Sequence, residues 1–163
     1  MRRIAVLMSA AAVVLSCAVV LAQTPSFSGK WTLVPDPNAQ GGRGGFGGGL
    51  GMEATVAQDA KTLTVTRAGI QGGAEIKTVY NLDGSETKNT LSFGGNSIDQ
   101  LSKVKADGAK LVITTKSDFG GNAFETTMTW SLDATGNLVV ESVAPDFQGG
   151  GAPTTTKRTY KKN

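Results

Sequence analysis

The feature that most constrains the fold of this chain is an alternation of apolar and polar residues, which begins after residue 23 and recurs along the rest of the sequence. In the clearest stretch Phe124, Thr126, Met128, Trp130 and Leu132 occupy every second position, and polar residues fill the positions between them. A strand that buries one face needs a period of two, whereas an amphipathic helix needs a period of 3.6. The chain is therefore predicted to be all-β.

This alternation, bounded by turn residues, predicts ten strands. The sixth strand has an alternative, because Ser97 and Gln100 form a possible helix-capping box and Ile98, Leu101 and Val104 have i, i+3 spacing. Strand is favoured over a short helix at 97–104. The ten strands are expected at residues 27–34, 52–58, 61–67, 74–81, 86–93, 97–106, 110–117, 123–132, 138–144 and 154–161.

The connections between these strands are of two kinds that alternate along the chain. Even-numbered connections are short and polar, and two of them contain Asp-Gly, which suits the positive φ of tight hairpins. Odd-numbered connections are rich in glycine, and the longest is the loop at residues 41–51. In an up-and-down meander the two kinds would lie at opposite ends. We therefore predict a single antiparallel meander of about ten strands, closed into a barrel because an open sheet would leave two long edges.

The N-terminal residues 1–22 have the pattern of a cleavable secretory signal. A basic start at Arg2 and Arg3 precedes an apolar run, and Val20-Leu21-Ala22 places small residues where a signal peptidase cuts. The expected product is one domain, residues 23–163, exported to the periplasm or secreted. Two alternatives stay open, namely a retained membrane anchor, since 4–22 is long enough to span a bilayer, and a lipoprotein modified at Cys17.

The composition of the expected product excludes several functions. The signal contains two of the sixteen basic residues and none of the thirteen acids, so 14 bases against 13 acids leave a net charge of +1. This balance gives no basic footprint for nucleic acid. The chain has no His, and its only Cys is in the signal. Without the commonest metal ligand and general base, we expect no enzyme activity, no cofactor and no metal.

A short motif on the first strand resembles a known group of proteins. Gly29-x-Trp31, followed by a meander and by Arg158 on the last strand, resembles the calycin barrels, which include lipocalins, fatty-acid-binding proteins and avidins. The resemblance implies that Trp31 plugs one end of the barrel and that Arg158 packs across it. Such a cation–π contact contributes roughly 0.5–2 kcal/mol.

Four of the six Phe residues lie in the glycine-rich connections, and they suggest a binding site. Phe46, Phe93, Phe119 and Phe147 would form an apolar mouth if they gathered at one end of the barrel. The alternative is that each ring folds inward and caps the core.

The predicted function is an exported β-barrel protein that binds a small apolar molecule. A cell-envelope structural or protein-interaction module is the alternative. No membrane span is expected after signal cleavage, because cationic residues occupy both faces of the last strand, at Lys157, Arg158 and Lys161. The sequence carries no signal for oligomeric state.

Overall fold

The computed structural model describes residues 25–36, 49–69, 73–93, 96–146 and 151–163. The predictions for the signal segment, Cys17 and most of the 41–51 loop lie outside the described residues and stay predictions. No helix long and apolar enough to cross a membrane occurs in the described ranges. The regular structure there consists of strands β1 Gly29–Leu33, β2 Glu53–Gln58, β3 Thr62–Arg67, β4 Ile76–Asn81, β5 Thr87–Phe93, β6 Asn96–Asp107, β7 Lys110–Phe119, β8 Asn122–Leu132, β9 Leu138–Ala144 and β10 Thr154–Lys162.

The ten strands form one antiparallel meander that is nearly closed into a barrel. Their order is β4-β3-β2-β1-β10-β9-β8-β7-β6-β5, so the first and last strands pair and consecutive strands β4 and β5 are the two edges. The closing ladder aligns Trp31 with Lys162 and Leu33 with Tyr160. The predicted all-β meander is confirmed. The strand ends that flank the glycine-rich connections share one end of the meander, which we call the loop end, and those that flank the short connections share the opposite turn end.

The sixth element is a strand, so the helical alternative at 97–104 is wrong. β6 pairs with β5 on one side and with β7 on the other, and those ladders use the backbone groups that a helix would need. Ile98 and Val104 are buried, whereas Leu101 is 38% exposed. The side chain of Gln100 donates a hydrogen bond to Ser117 on β7 at 3.2 Å and so makes a cross-strand contact.

Two glycines supply the backbone geometry of the β7–β8 hairpin. Gly120 has φ of 62° and Gly121 has φ of 84°, and a two-residue hairpin whose central residues both have positive φ matches the right-handed twist of its strands. The Asp118 carboxylate accepts a hydrogen bond from the Gly121 N–H at 2.9 Å. This connection therefore forms from local chemistry.

The β8–β9 turn is built on one carboxylate. Asp133 Oδ1 accepts hydrogen bonds from the Thr135 hydroxyl at 2.7 Å and from the backbone N–H groups of Thr135 and Asn137, each at 2.9 Å. These bonds favour the charged form, and the Thr135 hydroxyl bond has the largest effect, so they lower the pKa of Asp133 from 3.8 to about 2.

This turn predicts acid sensitivity. Because the folded-state pKa lies below the unfolded value of 3.8, the carboxylate contributes stability that is fully present above pH 3.8 and is lost as the pH falls through about 2. We expect the free energy of unfolding to drop on acidification from pH 4 to pH 2, and to drop less steeply in Asp133→Asn. Chemical denaturation at several pH values measures both slopes, and equal slopes would contradict the prediction.

The hydrophobic core fills the interior near the start of β1. Phe27 and Trp130 pack edge to face, with ring centroids 5.8 Å apart and planes at 83°. The Trp31 indole N–H donates to the Phe27 carbonyl at 2.8 Å. Both Trp side chains, Phe27 and Tyr160 are buried, and large aromatic rings contribute much of the burial energy of a small core.

The seam between β4 and β5 is bridged by side chains where a ladder is missing. The Asn89 amide accepts from the Val79 N–H at 2.9 Å and donates to the Val79 carbonyl at 2.8 Å. Nearer the turn, the Thr87 hydroxyl accepts from the Asn81 N–H at 3.0 Å. Since a side-chain amide has the same donor and acceptor as a peptide group, Asn89 replaces one rung of a β-ladder.

The seam predicts a specific weakness in Asn89→Ala. The change removes both partners of Val79, and we expect it to lower the free energy of unfolding by about 1–3 kcal/mol and to accelerate hydrogen exchange at the Val79 amide. The control is Ser92→Ala, which alters an exposed residue of the same strand. Unchanged exchange at Val79 in Asn89→Ala would show that the amide does not hold the seam.

Candidate functional site at the loop end of the barrel

Polar side chains line part of the barrel interior where apolar residues would be expected. Ser102, Thr115 and Thr126 occupy one cross-strand row on β6, β7 and β8, and Ser117 follows Thr115 on the same face of β7. All four are buried, and they share that face with the core residue Ile113. We call these four residues the hydroxyl band.

Three members of the hydroxyl band make hydrogen bonds inside the barrel. Ser102 and Thr115 share one hydrogen bond of 2.9 Å between their hydroxyls, and Ser117 accepts from Gln100. Each hydroxyl has one hydrogen to donate, so the Ser102–Thr115 pair has one hydrogen left for another acceptor. Among the described residues no oxygen of this band is a buried polar atom without a partner, so the remaining hydrogen is a capacity for one further bond.

Part of the inner face of β8 and β10 is incompletely buried. Three side chains at inward-facing positions are half-buried, namely Phe124 and Met128 of β8 and Arg158 of β10. Thr156 of β10 is exposed. The register row that contains Met128 continues through Ser142 to Thr156. This wall therefore combines two apolar side chains with a hydroxyl and a cation.

Two half-buried arginines carry positive charge into the barrel. Arg67 is the last residue of β3 and pairs with Ala54, which in turn pairs with Trp31 of β1. Together with those two residues, Arg67 lines a cavity of about 210 Å³. Burial lowers the pKa of the Arg67 guanidinium. Among the described residues, the ion pairs are Lys88–Asp99 and Lys103–Glu86. Within the same ranges no carboxylate forms an ion pair with Arg67 or Arg158, although Glu53 and Glu75 line the same cavity as Arg67.

Two buried tyrosines accompany the arginines but carry no charge at neutral pH. Burial raises the pKa of Tyr80 to about 12, although Arg67 opposes the shift. Burial also raises the pKa of Tyr160, against the Leu50 hydrogen bond and the nearby Arg158. Both phenols are therefore neutral hydrogen-bonding groups, and the cationic charge of the two arginines stays uncompensated by them.

The last residues of the glycine-rich loop pack onto this cluster. The Leu50 N–H donates to the Tyr160 hydroxyl at 3.0 Å, and the Leu50 side chain is buried in the core. A Cβ at Gly49 would collide with Arg158 Nη1 and approach the Tyr160 hydroxyl. Glycine at this position is what lets the backbone cross directly over the guanidinium.

One buried donor in the core has no partner. Trp130 is 0% exposed, and within the described ranges its indole N–H makes no hydrogen bond. The contrast is Trp31, whose N–H bonds the Phe27 carbonyl. The row of Trp130 runs through Val140 to Arg158, so this donor and the guanidinium belong to the same interior.

Trp31 and Arg158, the two residues of the predicted plug, lie in different surroundings. Trp31 is 2% exposed and belongs to the core. The cation at its ring is Lys162, whose Nζ lies 5.6 Å from the ring centroid, because the closing ladder pairs Trp31 with Lys162 directly. Arg158 lies beside Tyr160 and Gly49, and it contributes to the loop-end site.

The predicted Phe mouth stays a prediction. Phe46 and Phe147 lie outside the described residues. Phe93 ends β5 in register with Asn96, and Phe119 ends β7 in register with Asn122, which places both backbones at the loop end. Sequence reasoning missed Arg67 and the hydroxyl band. The available signal in the sequence was that Thr115 and Thr126 fall at positions predicted to face inward. Alternation alone does not distinguish threonines that line a polar interior from threonines that an apolar core accommodates.

The remaining surface gives little chemistry. Glu125 and Glu141 are exposed, and Glu125 faces Lys116 in the ladder. In the described part of the chain no three His, Cys, Asp or Glu residues gather into a group that could hold a metal. No protein-family model matches this chain, and no curated protein is similar to it in sequence.

The contact between the loop and β10 predicts the effect of Tyr160→Phe. The change leaves the buried Leu50 N–H without an acceptor, and we expect it to lower the free energy of unfolding by about 1–3 kcal/mol and to accelerate hydrogen exchange at Leu50. Tyr80→Phe removes a hydroxyl from the same interior without touching Leu50, so it is the matched control. Equal exchange at Leu50 in both variants would contradict this role of Tyr160.

Proposed function

We propose that this protein binds a small amphipathic anion inside the loop end of its barrel. The observation that carries the proposal is the presence of two half-buried guanidinium groups, Arg67 and Arg158, neither of which forms an ion pair with a carboxylate among the described residues. A buried charge is costly unless it is paired. An anionic ligand would provide the missing counter-charge through hydrogen bonds of the charge-assisted kind.

The apolar part of the ligand has a surface to pack against. Phe124 and Met128 are the half-buried apolar side chains of the inner wall, and Met128 packs against the main core. Sites for small molecules commonly combine an apolar lining with a few polar groups that orient the ligand. The predicted export of the chain and its resemblance to calycin barrels agree with a binding role, and the arginines refine the expected ligand from an apolar molecule to an amphipathic acid.

A matched pair of probes tests this proposal. Dodecanoate and dodecanol share an alkyl chain and differ in their head group, so their affinities for the delipidated protein, measured by titration calorimetry, isolate the contribution of the anion. Hydrogen bonds to charged groups contribute about 1.5–3 kcal/mol. We therefore expect dodecanoate to bind roughly 10- to 100-fold more tightly than dodecanol.

Variants locate the contribution of the anion in the barrel. The double change Arg67→Gln and Arg158→Gln is expected to remove the preference for dodecanoate and to leave dodecanol binding unchanged. Lys77→Gln, which removes an exposed cation of β4, is expected to retain the preference. If neither probe binds, or if the arginine variant keeps the preference, the proposed function is wrong.

A further inference from the structure

We infer that the body of the ligand carries an uncharged hydrogen-bonding group, a hydroxyl or a carbonyl, which the hydroxyl band and the Trp130 indole N–H recognise. This inference rests on the proposed function and names its ligand class more closely: a hydroxylated or oxo-substituted amphipathic acid. Two independent observations support it, namely the polar lining of β6 to β8 and the unpartnered donor of Trp130.

The hydroxyl band is placed for recognition. Thr115 lies on the same face as the buried Ile113, so a valine, which has nearly the same shape as threonine, would fill the position without a hydroxyl. Ser102 is 1% exposed and is bonded to Thr115, which leaves the pair one hydroxyl hydrogen for a third group. A ligand hydroxyl or carbonyl supplies an acceptor for it.

The Trp130 N–H adds a donor that has no use in packing. It is fully buried and has no partner among the described residues. Trp130 and Arg158 lie on one cross-strand row with Val140 between them, so their backbones are about 10 Å apart at the usual strand spacing. An acid held at Arg158 therefore places the next part of its body near Trp130.

The chemistry of these groups distinguishes two kinds of amphipathic acid. A plain alkyl chain offers no acceptor and leaves the Trp130 donor and the spare hydroxyl hydrogen unpaired. A hydroxyl or a carbonyl on the chain pairs with the donor whose depth it matches, since Thr126 and Trp130 are four residues apart on β8. Sites built around such groups discriminate strongly against analogues that lack the partner, because the buried polar groups are then left unpaired.

The experiment compares dodecanoate with 3-hydroxydodecanoate and 12-hydroxydodecanoate on the delipidated protein by titration calorimetry. We expect at least one hydroxylated acid to bind tenfold or more tightly than dodecanoate. That advantage should fall to about twofold or less in the variant that removes the donor at the depth of the hydroxyl, Trp130→Phe or Thr115→Val. Thr127→Val alters the adjacent outward position of β8 and is the control that should retain the full advantage.

Each variant is checked for folding by the cooperativity of its unfolding transition and by its affinity for dodecanoate, which should stay near that of the parent. Thr115→Val keeps the shape of the side chain, so it tests the inference even if Trp130→Phe unfolds. If no hydroxylated acid binds better than dodecanoate, or if the advantage persists in both variants, the inference is overturned. The proposed function survives that result as long as dodecanoate binding still depends on the arginines.

Discussion

The short ladder between β1 and β10 is the contact on which the rest of the structure depends. β1 to β4 and β5 to β10 are each a continuous meander, and the ladder that joins them runs from the pair Trp31–Lys162 to the pair Leu33–Tyr160. Elsewhere the two runs meet at a seam bridged by side chains such as Asn89. Backbone pairing at β1 and β10 thus converts two open sheets into a barrel with an interior.

The same ladder assembles the loop-end site. Arg67 belongs to the first run of strands and Arg158 to the second, so the two guanidiniums share an interior only when the barrel is closed. Tyr160 sits on the closing ladder and also holds the Leu50 N–H. Closure, the fold of the loop and the electrostatics of the site are therefore coupled through one strand.

The core of the barrel combines stabilising apolar contacts with a buried donor that lowers its stability. Large rings such as Phe27, Trp31 and Trp130 fill the apolar core, and burial of such side chains contributes roughly 1.5–3 kcal/mol or more apiece. The unpartnered indole N–H of Trp130 lies in the same core and lowers its net stability. Natural proteins accept such local costs where function requires them.

Much of the fold could be predicted from the alternation because strand formation is local. Every strand end lies within two residues of its predicted position, and the Asp-Gly and Gly-Gly turns specify their own geometry. The site was less predictable. The resemblance predicted that Arg158 lies at the indole of Trp31, but Lys162 occupies that position. Both cations face inward from β10, and the register of the closing ladder decides which of them meets the ring.

The sequence by itself determined that this chain forms an antiparallel meander with its glycine-rich connections at one end, because residue period and turn chemistry act over a few neighbouring residues. Only the tertiary structure decided that the barrel closes at β1 and β10, that the seam lies between β4 and β5, and that two arginines share the interior with a hydroxyl band. These features join residues far apart in the chain. Their positions follow from the register and stagger of the strands, which no local pattern specifies.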